Sequence, residues 1–210
     1  DPTTARRDVP DYLEGIEAGI DGLTIAVCED FFSDGLDDEV AALNDQSLRV
    51  MEKLGARIRP FSFPEMNDLV ALTTIISSSE SAAYHASSLA TNYDNYGRQT
   101  RSRMVAGLLY PGVSYQQALK LRAPMLRAFC DAAFGAADVL HAPALAVPVP
   151  TIAETDVSDN PGFLAALTNL SSKIRPFNFL GIPTMSVPCG FTANGLPAAF
   201  QLAGRPFDEA

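Results

Sequence analysis

No run of about 18 apolar residues occurs in the sequence, so nothing in it reads as a membrane-spanning helix. No basic segment leading into an apolar stretch opens it, and no secretory signal is read. Positive charge is in short supply: 15 Lys and Arg stand against 25 Asp and Glu, for a net charge of −10. Phosphate backbones need a positive field, so nucleic acid is not an expected partner. Cysteine is sparse as well. Cys28, Cys130 and Cys189 are widely spaced and odd in number, which reads as reduced, buried thiols of a cytoplasmic protein and not as a disulfide framework. His85 and His141 are the only histidines, and the sequence points to no carboxylates that would complete a three-ligand site with them, so no metal or other cofactor is expected. There is no G-x-S-x-G elbow, Walker loop, dinucleotide fingerprint or H-E-x-x-H motif, and no internal repeat.

What is present describes a packed globular chain. Hydrophobic residues make up 47% and charged residues 19% of 210 positions, enough for one large or two small domains. The chain opens on Asp1 rather than Met, which reads as a piece of a longer protein. Residues 1–11 are polar and hold two prolines, as a linker does. Residues 22–61 read as a βαβ unit: a strand at 22–27, an amphipathic helix at 37–54 with Val40, Leu43, Ser47, Met51 and Leu54 on one face, and a strand at 56–61. Asp37, Asp38 and Glu39 crowd the first turn of that helix, where its dipole favours them, and Gly55 ends it.

Residues 65–136 read as helical, with helices at 65–88, 98–109 and 114–134 and a loop at 93–97; Pro124 is expected to kink or split the last helix. Residues 138–204 begin with a short strand at 138–140. An extended proline-rich segment, an acidic loop at 153–161 and a helix at 162–172 follow. Two apolar runs then close the chain, 184–187 and 198–202, with the turn signal Asn194-Gly195 between them. Neither run alternates with charge, so both are expected to be covered on both faces.

Candidates for chemistry are few. Cys189, between Pro188 and Gly190, admits a Cys–His pair with either histidine, or a small thiol packed at a strand end. His141 follows an apolar strand and reads as a hydrogen-bonded edge residue. Ser77-Ser78-Ser79 and Ser171-Ser172-Lys173 suggest a serine nucleophile with a lysine base, but neither has flanking glycines to open the backbone for an oxyanion hole. Arg98, Arg101 and Arg103 read either as a solvated helix face or as a source of one pocket-lining guanidinium.

Asn178, Gly181-Ile182-Pro183, Ser186-Val187-Pro188-Cys189-Gly190, Gly195-Leu196-Pro197 and Gln201-Leu202-Ala203-Gly204 stand in the order found near the C-terminal end of the amidase signature family. Upstream, Asp11-Tyr12-Leu13 and Gly22-Leu23-Thr24-Ile25-Ala26-Val27 extend the match, so nearly the whole chain resembles that family's C-terminal half. The resemblance implies an α/β fold, a mixed β-sheet covered by helices on both faces. It implies a parent enzyme that hydrolyses a carboxylic amide through an acyl-serine intermediate, using two serines and a neutral lysine.

The family places those catalytic residues before the segment matching Asp1, so an N-terminal catalytic half is the expected partner, the chain alone is expected to be inactive, and a homo-oligomer through exposed strand edges is expected of the isolated chain. The alternative is a non-catalytic scaffold subunit. Arg103, with Gly107 four positions on, matches a position where an Arg grips a substrate carboxylate or supports the pocket. Ser171 and Thr73 stand near positions where the glutaminyl-tRNA amidotransferase branch has an Asp and a Tyr against its glutamine. The resemblance therefore makes Arg103, Ser171 and Thr73 the substrate-binding candidates, and glutamine a poor candidate as substrate.

Overall fold

The computed structural model describes residues 5–156 and 162–209. Residues 1–4 of the expected linker and 157–161 of the expected acidic loop therefore lie outside what is described. Strand β1 (Thr24–Cys28) leads through helix α1 (Asp38–Lys53) to strand β2 (Arg57–Phe61), paired in parallel with β1 from Thr24↔Arg57 to Cys28↔Phe61. The βαβ unit thus forms where the apolar periodicity places it. Asp37 caps α1 by accepting from the Glu39 N–H at 2.9 Å. The turn out of α1 needs Gly55, whose φ is +96° and where a Cβ would lie 2.1 Å from Asp21 Oδ1. The buried face of α1 differs by one step from the expected stripe: Val40, Asn44, Ser47 and Met51 are buried, whereas Leu54 is exposed. Pro60 fits β2 because this strand is an edge of the sheet.

Three helices follow: α2 (Met66–Asn92), α3 (Arg98–Gly107) and α4 (Gly112–Phe134), with a 3₁₀ turn at Tyr93–Asn95. The expected split at Pro124 does not occur, and α4 runs through it unbroken. The carbonyl left without a helical donor is that of Lys120, an exposed residue. Strand β3 (Val139–Pro143), helix α5 (Phe163–Ser172), the short α6 (Arg175–Leu180) and strands β4 (Thr184–Phe191) and β5 (Pro197–Ala203) complete the chain. No described helix is long and apolar enough to cross a membrane.

The sheet order is β2-β1-β3-β5-β4, with β2, β1 and β3 parallel and β5 antiparallel to both of its neighbours. Alternation along the strands sends Ala26, Leu140 and Ala203 to one face and Ile25, Val139 and Leu202 to the other. The first face packs against Met66 and Leu69 of α2, Phe129 and Ala133 of α4 and Phe177 of α6. The second face packs against Met51 of α1, so the sheet is mixed and carries helices on both faces.

The closing hairpin departs from expectation in one respect. Its turn contains Gly195 at φ +74°, with the Thr192 N–H bonded to the Leu196 carbonyl at 2.8 Å, as the Asn-Gly signal implies. Yet β4 is an edge strand and largely exposed, with Met185 at 60% and Phe191 at 72%, whereas β5 is buried as expected. Its apolar composition exceeds what its place in this sheet calls for.

Candidate functional site

Helices α2 and α3 meet at a residue without a side chain. A Cβ on Gly107 would lie 2.0 Å from the Ser78 carbonyl oxygen and 2.9 Å from Ala82 Cβ, so the two backbones approach this closely only with glycine there. Arg103 stands one turn earlier on α3. Beside this junction α2, α3, α5 and α6 wall an open cavity of about 660 Å³. Thr73 and Ser77 of α2, Arg103 of α3, Ser171 of α5, and Arg175 and Asn178 of α6 all face it. The three residues singled out in the sequence, Arg103, Ser171 and Thr73, are thus brought to one cavity. A neighbouring depression of about 400 Å³ shares Ser77, Ser78 and Arg103 with it.

The hydroxyls of two of these residues are committed to the protein. Thr73 Oγ1 lies 2.7 Å from the Leu69 carbonyl and 3.1 Å from the Arg175 carbonyl, so its single proton is shared by backbone acceptors. Ser171 Oγ donates to the Leu167 carbonyl at 2.8 Å and accepts from Arg175 Nε at 3.1 Å. Arg175 Nη1 also donates to Thr74 Oγ1 at 3.2 Å. Thr73, Thr74 and Ser171 therefore act together on one residue, clamping Arg175 in the cavity wall. Arg175 is absent from the sequence reading. The one signal for it is a basic residue directly before Pro176 at the start of a helix, where the dipole disfavours a cation.

The cavity is electrostatically one-sided. Among the described residues its wall holds two guanidiniums and no carboxylate. Burial pushes the Arg175 guanidinium below its ordinary value, and the nearby Arg103 pushes it in the same direction. Two ion pairs lie elsewhere: Arg101 with Asp94 at 2.9 Å, and Arg205 with Asp208 at 3.7 Å. Arg101 also covers the Tyr93 ring at 4.7 Å, so neighbouring arginines of α3 have separate fates.

The serine clusters have structural settings. Lys173 is buried, with Nζ donating to the Asp34 carbonyl at 2.8 Å and to the Phe31 carbonyl, above the Phe31 ring. It thereby holds a loop in which Phe31 takes a φ of +64°. Burial lowers its proton affinity, opposed by nearby Asp34. Ser77–Ser79 lie within α2.

His141 is hydrogen-bonded, as expected, but it is no edge residue. It sits in β3 between Val27 of β1 and Leu202 of β5, stacked on Phe200 with ring centroids 4.6 Å apart. Ser47 Oγ donates to the Asn44 carbonyl at 2.6 Å, so it accepts from His141 Nε2 at 2.8 Å. Burial lowers the His141 pKa to about 4, which keeps the ring neutral at pH 7. His85 Nδ1 lies 3.0 Å from the Tyr96 hydroxyl. With both histidines engaged there, Cys189 stands as a half-buried thiol at the β4 bulge, its pKa raised by burial.

Comparison with known proteins supplies the family. A family model described as Amidase matches residues 1–210. The chain is 33% identical over 233 residues to a subunit of the glutamyl-tRNA(Gln) amidotransferase of Myxococcus xanthus, covering 100% of this chain and 47% of that protein. It is 31% identical over 210 residues to an amidase of Pseudomonas putida, covering 100% of this chain and 45% of that protein. The chain thus spans about half the length of the curated relatives it matches. The crystal structure of a bacterial aryl acylamidase of the amidase signature family superposes with a TM-score of 0.75 at 20% identity, over 100% of this chain and 45% of that one, which establishes a shared fold. The chain belongs to the amidase signature family.

Proposed function

We propose that this chain forms the substrate-pocket half of an enzyme that hydrolyses a carboxylic amide to an acid and ammonia or an amine. The observation that carries this reading is the convergence of Arg103, Ser171 and Thr73, distant in sequence, on one open cavity of about 660 Å³. The catalytic serines and lysine lie outside this chain, in an N-terminal half, and the acyl-serine chemistry takes place there. In this division of labour Arg103 contacts the substrate, while Thr73 and Ser171 shape the wall through Arg175. Glutamine fits poorly, because its α-ammonium needs an anionic partner and the described wall offers none. The three free thiols accord with a cytoplasmic location.

The exposed apolar side chains Met185 and Phe191 on edge strand β4 favour a partner that continues the sheet. Alone, the chain is expected to bind a hydrophobic dye and to self-associate in size-exclusion chromatography. A monodisperse, dye-silent monomer contradicts that expectation. Mixing the chain with candidate N-terminal halves and assaying amide hydrolysis tests the functional reading. Turnover that appears only on mixing supports it. A stable complex without turnover favours a scaffold role, and hydrolysis by the chain alone overturns the placement of the catalytic groups.

A further inference from the structure

We infer that Arg175 is a second specificity-determining residue of this site, acting with Arg103 to select amides whose acyl portion carries a carboxylate. The inference rests on the cavity being the substrate pocket. Arg175 is half-buried, and the chain holds it in place from three sides: Ser171 Oγ on Nε, Thr74 Oγ1 on Nη1, and Thr73 Oγ1 on its backbone carbonyl. A fork fixed at Nε and Nη1 still has Nη2, with its two N–H donors, to offer. Partly buried cations are normally met by a carboxylate, because desolvation is otherwise uncompensated. Here the charged neighbour with an effect on Arg175 is another cation, Arg103, across a wall that contains no acid among the described residues.

The protein as a whole carries a net charge of −10, so acidic side chains are plentiful, and none stands in this wall among the described residues. An anionic ligand relieves both the desolvation and the mutual repulsion of the two guanidiniums. A planar carboxylate matches the fork of a guanidinium. The site's hydrophobic residues, Leu167, Leu170 and Ile174, provide for the short carbon chain between that carboxylate and the amide. The reaction consumes water, breaks the C–N bond of the amide and releases a dicarboxylate with ammonia or an amine.

The test uses the full-length protein that contains this chain, with succinamate and butyramide as matched anionic and neutral amides. The readout is the ratio of their kcat/KM values, which cancels any loss of folded protein. The wild type is expected to favour succinamate. In Arg175→Gln the ratio falls roughly ten- to a hundredfold, as for loss of a charged hydrogen bond, and Arg175→Lys restores part of it. Succinate, titrated as an inert anion, raises Tm in the wild type and less in Arg175→Gln. A ratio that Arg175→Gln leaves unmoved, or a wild type without preference for succinamate, overturns the inference while the amidase reading stands. Succinate binding that depends on Arg175 in a protein that cleaves no amide keeps the anion site and overturns the amidase reading.

Discussion

Two cavities of this protein use polar residues in opposite ways. Beside α1, a cavity of about 340 Å³ has Asn44, His141, Asp38 and Asp45 in its wall. There His141 bonds Ser47, Ser47 bonds the Asn44 carbonyl, and burial keeps the imidazole neutral. The larger cavity, walled by α2, α3, α5 and α6, presents Arg103 and Arg175 with no opposing carboxylate among the described residues. Both regions contain serine and a titratable side chain. In one, the ionisable ring gives up its charge and bonds Ser47, although the Asn44 side-chain oxygen is left without a partner. In the other, fixed charges persist without a counter-charge in the wall among the described residues. Uncompensated charge held in place by neighbouring hydrogen bonds is what supports the proposed binding wall, whereas a buried titratable group that is neutral and bonded fits a packed one.

The largest expected effect comes from closing the second cavity at its hinge. Gly107→Ala forces a Cβ into the Ser78 carbonyl, and α3 must move away from α2. A loss of about 3 kcal/mol or more in chemical unfolding is expected, together with loss of amide turnover in the full-length enzyme. Full stability in this variant would show that the two helices part without cost.

The His141 cluster yields a pH effect of similar size. Its folded pKa of about 4 lies below the ordinary 6.5, so the unfolded chain binds a proton more readily between these values. Stability from this group is complete above about pH 6.5 and declines as pH falls toward 4, by up to about 3 kcal/mol. Urea unfolding between pH 7 and 4.5 measures it. His141→Gln is expected to flatten that dependence, and an unchanged slope contradicts the assignment.

Arg103→Ala probes the other cavity with a smaller change. The side chain is exposed, so stability shifts by no more than about 0.5 kcal/mol, while kcat/KM on the preferred amide falls about tenfold. Unchanged kcat/KM across acidic and neutral amides removes Arg103 from the substrate wall. The smallest effect is expected at Cys189, where Cys189→Ala costs roughly 1 kcal/mol and leaves turnover largely intact. Complete loss of turnover in a folded Cys189→Ala protein would restore a role for the thiol as nucleophile.

The elements of the fold were largely readable along the chain because their causes are local. Apolar period, the Asp37 cap and the turn glycines at 55 and 195 act within a few residues of where they stand. The same locality explains the misreadings. Pro124 lacks a donor wherever it stands, but the chain alone does not reveal that it falls on an exposed stretch of α4 and that the helix continues through it. The apolar composition of β4 says that the strand suits a covered position, and says nothing of which strands pair with it here.

Within the candidate site, Arg103 stood out by matching a family position, and Ser171 and Thr73 by standing near positions where one branch of the family has an Asp and a Tyr, whereas Arg175 had no such marker. Its position follows from long-range contacts, Thr73 and Thr74 of α2 reaching it across about a hundred residues of sequence. Sequence alone determined the amidase signature kinship, the βαβ unit and the closing hairpin, since each is written in short-range pattern. The cavity, its unbalanced positive wall and the burial that neutralises His141 arise from packing between distant segments, because desolvation and charge proximity depend on distance in space.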